Sequence, residues 1–203
     1  MESLEPMNFL QSLIQADEQI TLWLNVHSPA FLDPFWTVIS GIRVWIPLYL
    51  LVFVYIFWRL GWKKGLVLLL AMLLTLLLTD QGSYQTKEFL QRLRPCHNGW
   101  MLEHGLRLPA GANQSLYGFF SGHACNCFGF ATFTYTALRL NDPHHSYGGW
   151  GWFIFLWAAF IAYSRIVLGA HFVGDILVGT VFGLGIAYAT ARLSRLVIVK
   201  AKL

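Results

Sequence analysis

The feature that most narrows the folds open to this chain is a succession of apolar runs too long for a small soluble core. Residues 35–58, FWTVISGIRVWIPLYLLVFVYIFW, carry one charge, Arg43, and exceed the roughly 20 apolar residues that a helix needs to cross a bilayer. A second run covers residues 65–84, with Asp80 interrupting its outer end, a third 122–138, a fourth 150–164 and a fifth about 172–191. Of the 203 residues, 56% are hydrophobic and 12% charged, about half the charge share of an ordinary soluble domain. The expected fold is therefore all-α, a polytopic membrane helix bundle in a single domain spanning 1–203. No linker, low-complexity tract or internal repeat divides it.

Several of these runs fall a turn short of a full crossing, and a polar cluster supplies the missing turn each time, so the clusters belong to the helices. Residues 7–26 are different. Phe9, Leu10, Leu13, Ile14, Ile20, Trp23 and Leu24 recur at helical spacing, while Asp17 and Glu18 sit in the middle. An interfacial amphipathic helix within segment 1–34 is expected, with a sixth, partly buried helix of the bundle as the alternative.

Arg59, Lys63 and Lys64 join spans one and two, Arg139 lies between spans three and four, and Arg192, Arg195, Lys200 and Lys202 fill the tail. By the positive-inside rule these regions face the cytoplasm. The N-terminus has no basic stretch before an apolar core, so a cleaved signal peptide is not expected and the first span directs insertion. The formal charge of +4 forms no basic stripe, which argues against nucleic acid as a partner and for the lipid bilayer. Three cysteines make no disulfide framework. Cys125 and Cys127 point to different sides of a helix, Cys96 lies in a polar loop, and ordinary unpaired thiols are expected.

With five alternating spans, three polar clusters emerge together on the non-cytoplasmic side. In KEFLQRLRP, Lys87 and Arg94 are seven residues apart and share a helix face if the helix continues to Pro95. In FSGHACN, Ser121 and Gly122 sit at a helix start with His123 just inside it. In SRIVLGAHFVGD, Arg165 precedes His171 and Asp175, which are neighbours at i and i+4. Three cations, a hydroxyl, helix-start amides and two imidazoles match a tetrahedral dianion, of which phosphate is the simplest. One imidazole beside a carboxylate is suited to act as a nucleophile, and the other to protonate a leaving oxygen.

These motifs, Lys87-x6-Arg94-Pro95, Ser121-Gly122-His123 and Ser164-Arg165-x5-His171-x3-Asp175, resemble the three-part signature of the type 2 phosphatidic acid phosphatase (PAP2) superfamily. That superfamily holds integral-membrane lipid phosphatases and, on the same helical core, vanadium-dependent haloperoxidases. The resemblance covers about residues 35–192. One departure is Phe120, where many members have the proline that pre-sets the turn into the helix. The resemblance implies that His171 attacks phosphorus and becomes a phosphohistidine, that Asp175 orients its imidazole, and that His123 protonates the leaving group. It further implies that Lys87, Arg94, Arg165, Ser121 and the Gly122 amide hold the phosphate oxygens, with no metal and no cofactor required.

Taken one at a time, these residues have plainer readings. A Lys or Arg at a span end is usually a snorkelling anchor, and Arg92 and Arg107 are read that way. A helix-start Ser is usually an N-cap. His27, His97, His104, His144 and His145 receive no role. Arg43 and Asp80 are intramembrane charges with pairing or snorkelling as the alternative to function. Gly179, Gly183 and Gly185 are read as small-residue packing surfaces. Loop 96–119 is a candidate lid or headgroup selector, or a surface crossover.

The expected activity is that of a membrane lipid phosphate or diphosphate phosphohydrolase in a bacterial cytoplasmic membrane, with its site on the extracytoplasmic face. Polyprenyl diphosphate is the leading substrate, and phosphatidylglycerol phosphate, phosphatidic acid or lipid A phosphates are the alternatives. A catalytically silent lipid-binding or transport protein would normally lack His171, Asp175 or His123, and haloperoxidase chemistry sits poorly with five spans. The motifs do not address oligomeric state.

Overall fold

The computed structural model describes residues 9–109 and 114–203; positions 1–8 of the N-terminal segment and 110–113 of the expected loop lie outside them. Eight α-helices account for the described fold: α1 (Phe9–Val26), α2 (Asp33–Ser40), α3 (Ile46–Leu60), α4 (Trp62–Leu90), α5 (Gly99–Glu103), α6 (Gly122–Asn141), α7 (Gly148–Val167) and α8 (Val173–Lys200). Four stretches are long and apolar enough to cross a membrane: Ile42–Leu60, Trp62–Leu90, Gly148–Val167 and Val173–Lys200. The chain is an integral membrane protein. The expected third span is α6, a 20-residue helix packed among α4, α7 and α8 with twelve of its residues buried. Protein surrounds it, so it does not need a lipid-compatible surface and carries His, Asn, Cys and Thr side chains.

The first expected span, 35–58, is broken. Gly41 is extended, residues Ile42–Trp45 form a 3-10 turn, and Pro47 in the first turn of α3 has no amide hydrogen to continue a helix from α2. Arg43 lies in that turn and is exposed, so it has no buried partner to find. In contrast, α4 outruns its expectation. Its 29 residues span about 43 Å, longer than a hydrocarbon thickness of about 30 Å. It stops at Leu90, where Gln91 takes a left-handed conformation (φ 49°). Helix α8 likewise continues past Ala191 to Lys200.

Helices α6 and α8 make the closest pairing in the bundle. A Cβ at Gly179 would lie 2.6 Å from the Ser121 carbonyl, and one at Gly183 would collide with the Cys125 carbonyl. These two glycines bring the backbones together, as small-residue interfaces do. Gly185 has open space around it and takes no part in the contact. Thr75 of α4 and Thr190 of α8 add a hydrogen bond of 2.7 Å across the bundle. At one end, Asp142 accepts from Arg59 at 2.6 Å and from Tyr147 at 2.8 Å, tying the α3–α4 and α6–α7 connections together. The polar motifs gather at the other end.

Helix α1 is amphipathic with its polar stripe turned inward. Thr21 and Asn25 are buried, whereas Phe9, Leu10, Leu13 and Trp23 are at least half exposed. Asn25 donates to the Ile166 and Val167 carbonyls and accepts from the Arg107 amide. Thr21 accepts from the Val173 amide at 3.0 Å. The helix thus docks, through hydrogen bonds, on the connection that carries the third motif.

Candidate active site

A cavity of about 730 Å³ opens among α3, α4 and α6, and one end of it is lined by Lys87, Arg94, Gly122, His123, Arg165 and His171. Six of the eight residues expected at the site therefore share one wall. The other two stand behind it. Ser121 is fully buried and accepts from the Ala124 amide at 3.3 Å as the N-cap of α6, so its oxygen serves the helix rather than the cavity. Asp175 is fully buried beneath His171.

The start of α8 holds the His171–Asp175 pair. Asp175 is the third residue of the helix, and its Oδ2 accepts from the Phe172 amide at 3.1 Å, the reach-back half of a capping box. That oxygen also lies 3.3 Å from His171 Nδ1. On the other side of the ring, Arg94 Nη1 donates to His171 Nε2 at 2.8 Å and to the Ala170 carbonyl at 2.9 Å. A guanidinium only donates, so Nε2 must be the accepting nitrogen and the ring proton resides on Nδ1, facing the carboxylate. Burial first, and then the charges of Arg94, Arg165 and Lys87, hold the His171 pKa well below its ordinary 6.5. The imidazole is neutral, with its lone pair directed into the cation cluster. Burial lowers the pKa of Arg94 as well.

Arg165, in the last turn of α7, is buried and donates to Ser40 Oγ and, at 2.7 Å, to Gln114 Oε1. Lys87 is in the last turn of α4, with its ammonium 3.6 Å from where a Gly122 Cβ would sit. The proline absent before Ser121 is replaced by packing: Phe120 is buried, stacks on Phe182 at 4.8 Å and accepts from Ser83 Oγ through its carbonyl.

Lys87 and Arg94 do not share a continuous helix. The chain turns at Gln91 and runs extended to Arg94, pairing with Tyr117 through Leu93. Extended residues two apart face the same way, so Arg92 accompanies Arg94 to the site. Arg92 is thus no snorkelling anchor: it donates to Asp175 Oδ1 at 2.7 Å and to Asp17 Oδ2 at 2.8 Å, with its guanidinium 4.1 Å from the Phe172 ring centroid. Arg107 is also engaged, bonding Asp33 at 2.6 Å and the Ser28 carbonyl. The return of loop 96–119 closes over the motifs, since Ser115 accepts from Arg94 and Gln114 lines the cavity. At Gly118 a Cβ would come within 3.0 Å of Arg94 Cγ and 3.2 Å of Asp175 Oδ2, so a bare backbone is needed there.

Below the cations the cavity runs between Tyr49 and Phe53 of α3, Leu73 and Leu77 of α4, and Phe130 of α6. A cationic mouth on an apolar shaft matches an amphiphile with an anionic head.

The model of the PAP2 superfamily matches residues 61–197. Among curated relatives, a lipid A 4'-phosphatase of Bacteroides thetaiotaomicron is 31% identical over 182 residues, covering 86% of this chain and 75% of that protein. One of Porphyromonas gingivalis is 29% identical, with 86% and 71% covered. Among solved structures, a transmembrane PAP2-type phosphatidylglycerolphosphate phosphatase from Bacillus subtilis superposes with a TM-score of 0.66 at 22% identity, covering 89% of this chain and 85% of that one. Aquifex aeolicus LpxE gives 0.61 at 24%, with 86% and 93% covered. The three motifs, the membrane bundle that gathers them and the family match over most of the chain lead to one assignment: this protein belongs to the PAP2 superfamily and is a membrane lipid phosphatase.

Proposed function

We propose that the protein hydrolyses the phosphate monoester of a lipid A-type glycolipid through a phosphohistidine on His171. The observation that carries the mechanism is the Arg94 contact to His171 Nε2, which fixes a neutral nucleophilic nitrogen beside three cations. Lys87, Arg94, Arg165 and the Gly122 amide hold the phosphoryl oxygens. Nε2 forms a bond to phosphorus while the ester P–O bond breaks, and the leaving sugar oxygen takes a proton from His123. Water then attacks phosphorus and gives its proton to His123, the N–P bond breaks, and Nε2 recovers its electron pair. Asp175 faces the Nδ1 proton and stabilises the positive ring of the intermediate. The protein's task is positioning and electrostatic stabilisation, where phosphoryl transfer gains most.

The lipid A reading is supported by two relatives whose names specify lipid A 4'-phosphatase; those names lend no support to the expected preference for polyprenyl diphosphate. The acyl chains occupy the apolar shaft and the head reaches the cations. Arg59, Lys63, Lys64, Arg139 and Arg195 lie at the end away from the motifs, and the positive-inside rule then supports a site on the extracytoplasmic face of a bacterial cytoplasmic membrane.

Phosphate release by the purified protein is the test, measured on lipid A, phosphatidylglycerol phosphate, phosphatidic acid and polyprenyl diphosphate. Lipid A is expected to have the highest kcat/KM. His171→Ala is expected to abolish release while remaining folded in detergent, and full activity in that variant would refute the nucleophile assignment.

A further inference from the structure

Two polar groups interrupt the apolar shaft just below the cations, and the mechanism uses neither. Asn126 lies three residues along α6 from His123, about 4.5 Å deeper, and lines the cavity. Its Oδ1 is buried with no hydrogen-bond partner among the described residues. Asp80 lines the same cavity from α4, two turns before Lys87 and on the same face. Thr79, the neighbouring hydroxyl on α4, gives its proton to the Thr75 and Leu76 carbonyls of its own helix, so it is not a donor to either group. A buried acceptor without a donor is costly and uncommon in a folded protein.

We infer that Asn126 and Asp80 form a hydrogen-bond-accepting neck that selects lipids bearing an N–H or O–H donor within about one sugar ring of the phosphate ester. The inference rests on the proposed phosphatase reading, in which the cations take the phosphate. Both neck groups offer oxygen, and one is a carboxylate. A donor-bearing headgroup satisfies them, whereas the bare hydrocarbon of a polyprenyl phosphate leaves them unmet. A lipid diphosphate fares worse, because the phosphate nearer the lipid would enter the neck beside Asp80. The donor can be the amide N–H of an N-acylated amino sugar or a hydroxyl of a sugar or glycerol headgroup.

The test compares kcat/KM of the full-length protein in detergent on a diacylated glucosamine phosphate, phosphatidylglycerol phosphate and a polyprenyl monophosphate. The first offers amide and hydroxyl donors, the second hydroxyl only, and the third none. The wild type is expected to prefer a donor-bearing substrate over the polyprenyl phosphate, and the higher of the first two identifies the donor. In Asn126→Leu and Asp80→Leu that preference is expected to fall about tenfold, the change in rate equivalent to one net hydrogen bond. Asp80 is exposed on its helix, so the Asp80→Leu protein folds even if the half-buried Asn126 site does not tolerate leucine. A preference that stays the same in the Asp80 variant, or rates that fall in parallel on all three lipids, would overturn the inference. Wild-type turnover of none of them would instead remove the phosphatase reading and the neck with it.

Discussion

Arg92 Nη1 donates to Asp175 Oδ1 at 2.7 Å, a shorter contact than the 3.3 Å between Asp175 Oδ2 and the His171 ring. The carboxylate has no solvent exposure, while the Arg92 side chain is 25% exposed. Arg92 therefore neutralises the buried acid and fixes the rotamer from which Asp175 meets His171. Removing one partner of a buried ion pair leaves a charge uncompensated and commonly costs about 3–5 kcal/mol, less where one partner is partly solvated. Arg92→Ala is expected to lower kcat about ten- to a hundredfold and to reduce the unfolding midpoint in detergent, with Arg92→Lys recovering part of both. Wild-type kcat in Arg92→Ala would show that Asp175 holds its position without this partner.

The misreading of Arg92 marks where sequence reasoning stops. Spacing within one helix is legible because it depends on periodicity, so His171 and Asp175 are adjacent and His123 sits one residue inside its helix, as expected. The path between Lys87 and Arg94 depends on where α4 ends, and no Gly or Pro marks Leu90. Read as helix, Arg92 points away from Arg94; in the extended segment it points the same way. Gln114 and Asp17 are illegible for a related reason, since they reach the site through tertiary folding of a loop and of an outlying helix. The interruption at Gly41 was concealed by the uniform apolarity of residues 35–58.

Histidine protonation offers a second test. The His171 pKa lies well below 6.5 in the folded protein, because of burial and neighbouring cations. In the unfolded chain the same imidazole takes up a proton as pH falls through 6.5, whereas in the native state it does not. The native state then binds fewer protons, so His171 contributes a loss of stability on acidification below about pH 6.5. Nitrogen-15 histidine spectra of the detergent-solubilised protein, assigned by difference from His171→Gln, are expected to show a neutral ring with its proton on Nδ1 at pH 6. A doubly protonated ring at that pH would contradict the inferred tautomer and remove the Nε2 lone pair that accepts from Arg94.

The α6–α8 contact separates glycines that sequence alone groups together. Gly183→Ala places a methyl against the Cys125 carbonyl, and backbone cannot yield as a flexible side chain can. Overpacking of this kind costs about 1–3 kcal/mol. Gly185→Ala adds its methyl in open space and is expected to change stability by no more than about 0.5 kcal/mol. Thermal unfolding of both variants in the same detergent distinguishes them, and equal midpoints would mean that the two backbones are not in contact.

Asp17 connects the outlying helix to this chemistry. Its Oδ2 accepts from Arg92 at 2.8 Å and its Oδ1 from the Gly174 amide at 2.8 Å, so one carboxylate holds both the arginine that partners Asp175 and the first turn of α8. The opposite face of α1 exposes Phe9, Leu10, Leu13 and Trp23, which suits it to lie against lipid while the polar face grips the site. If Asp17 acts through Arg92, the two substitutions are not independent. Asp17→Ala alone is expected to lower kcat by less than Arg92→Ala, and adding it to Arg92→Ala should cost little more. The double-mutant cycle on kcat is expected to give a coupling of about 0.5–3 kcal/mol, the range for residues in one hydrogen-bonded network. Strict additivity would assign Asp17 to anchoring α8 through Gly174 alone, with no part in placing the Asp175 carboxylate.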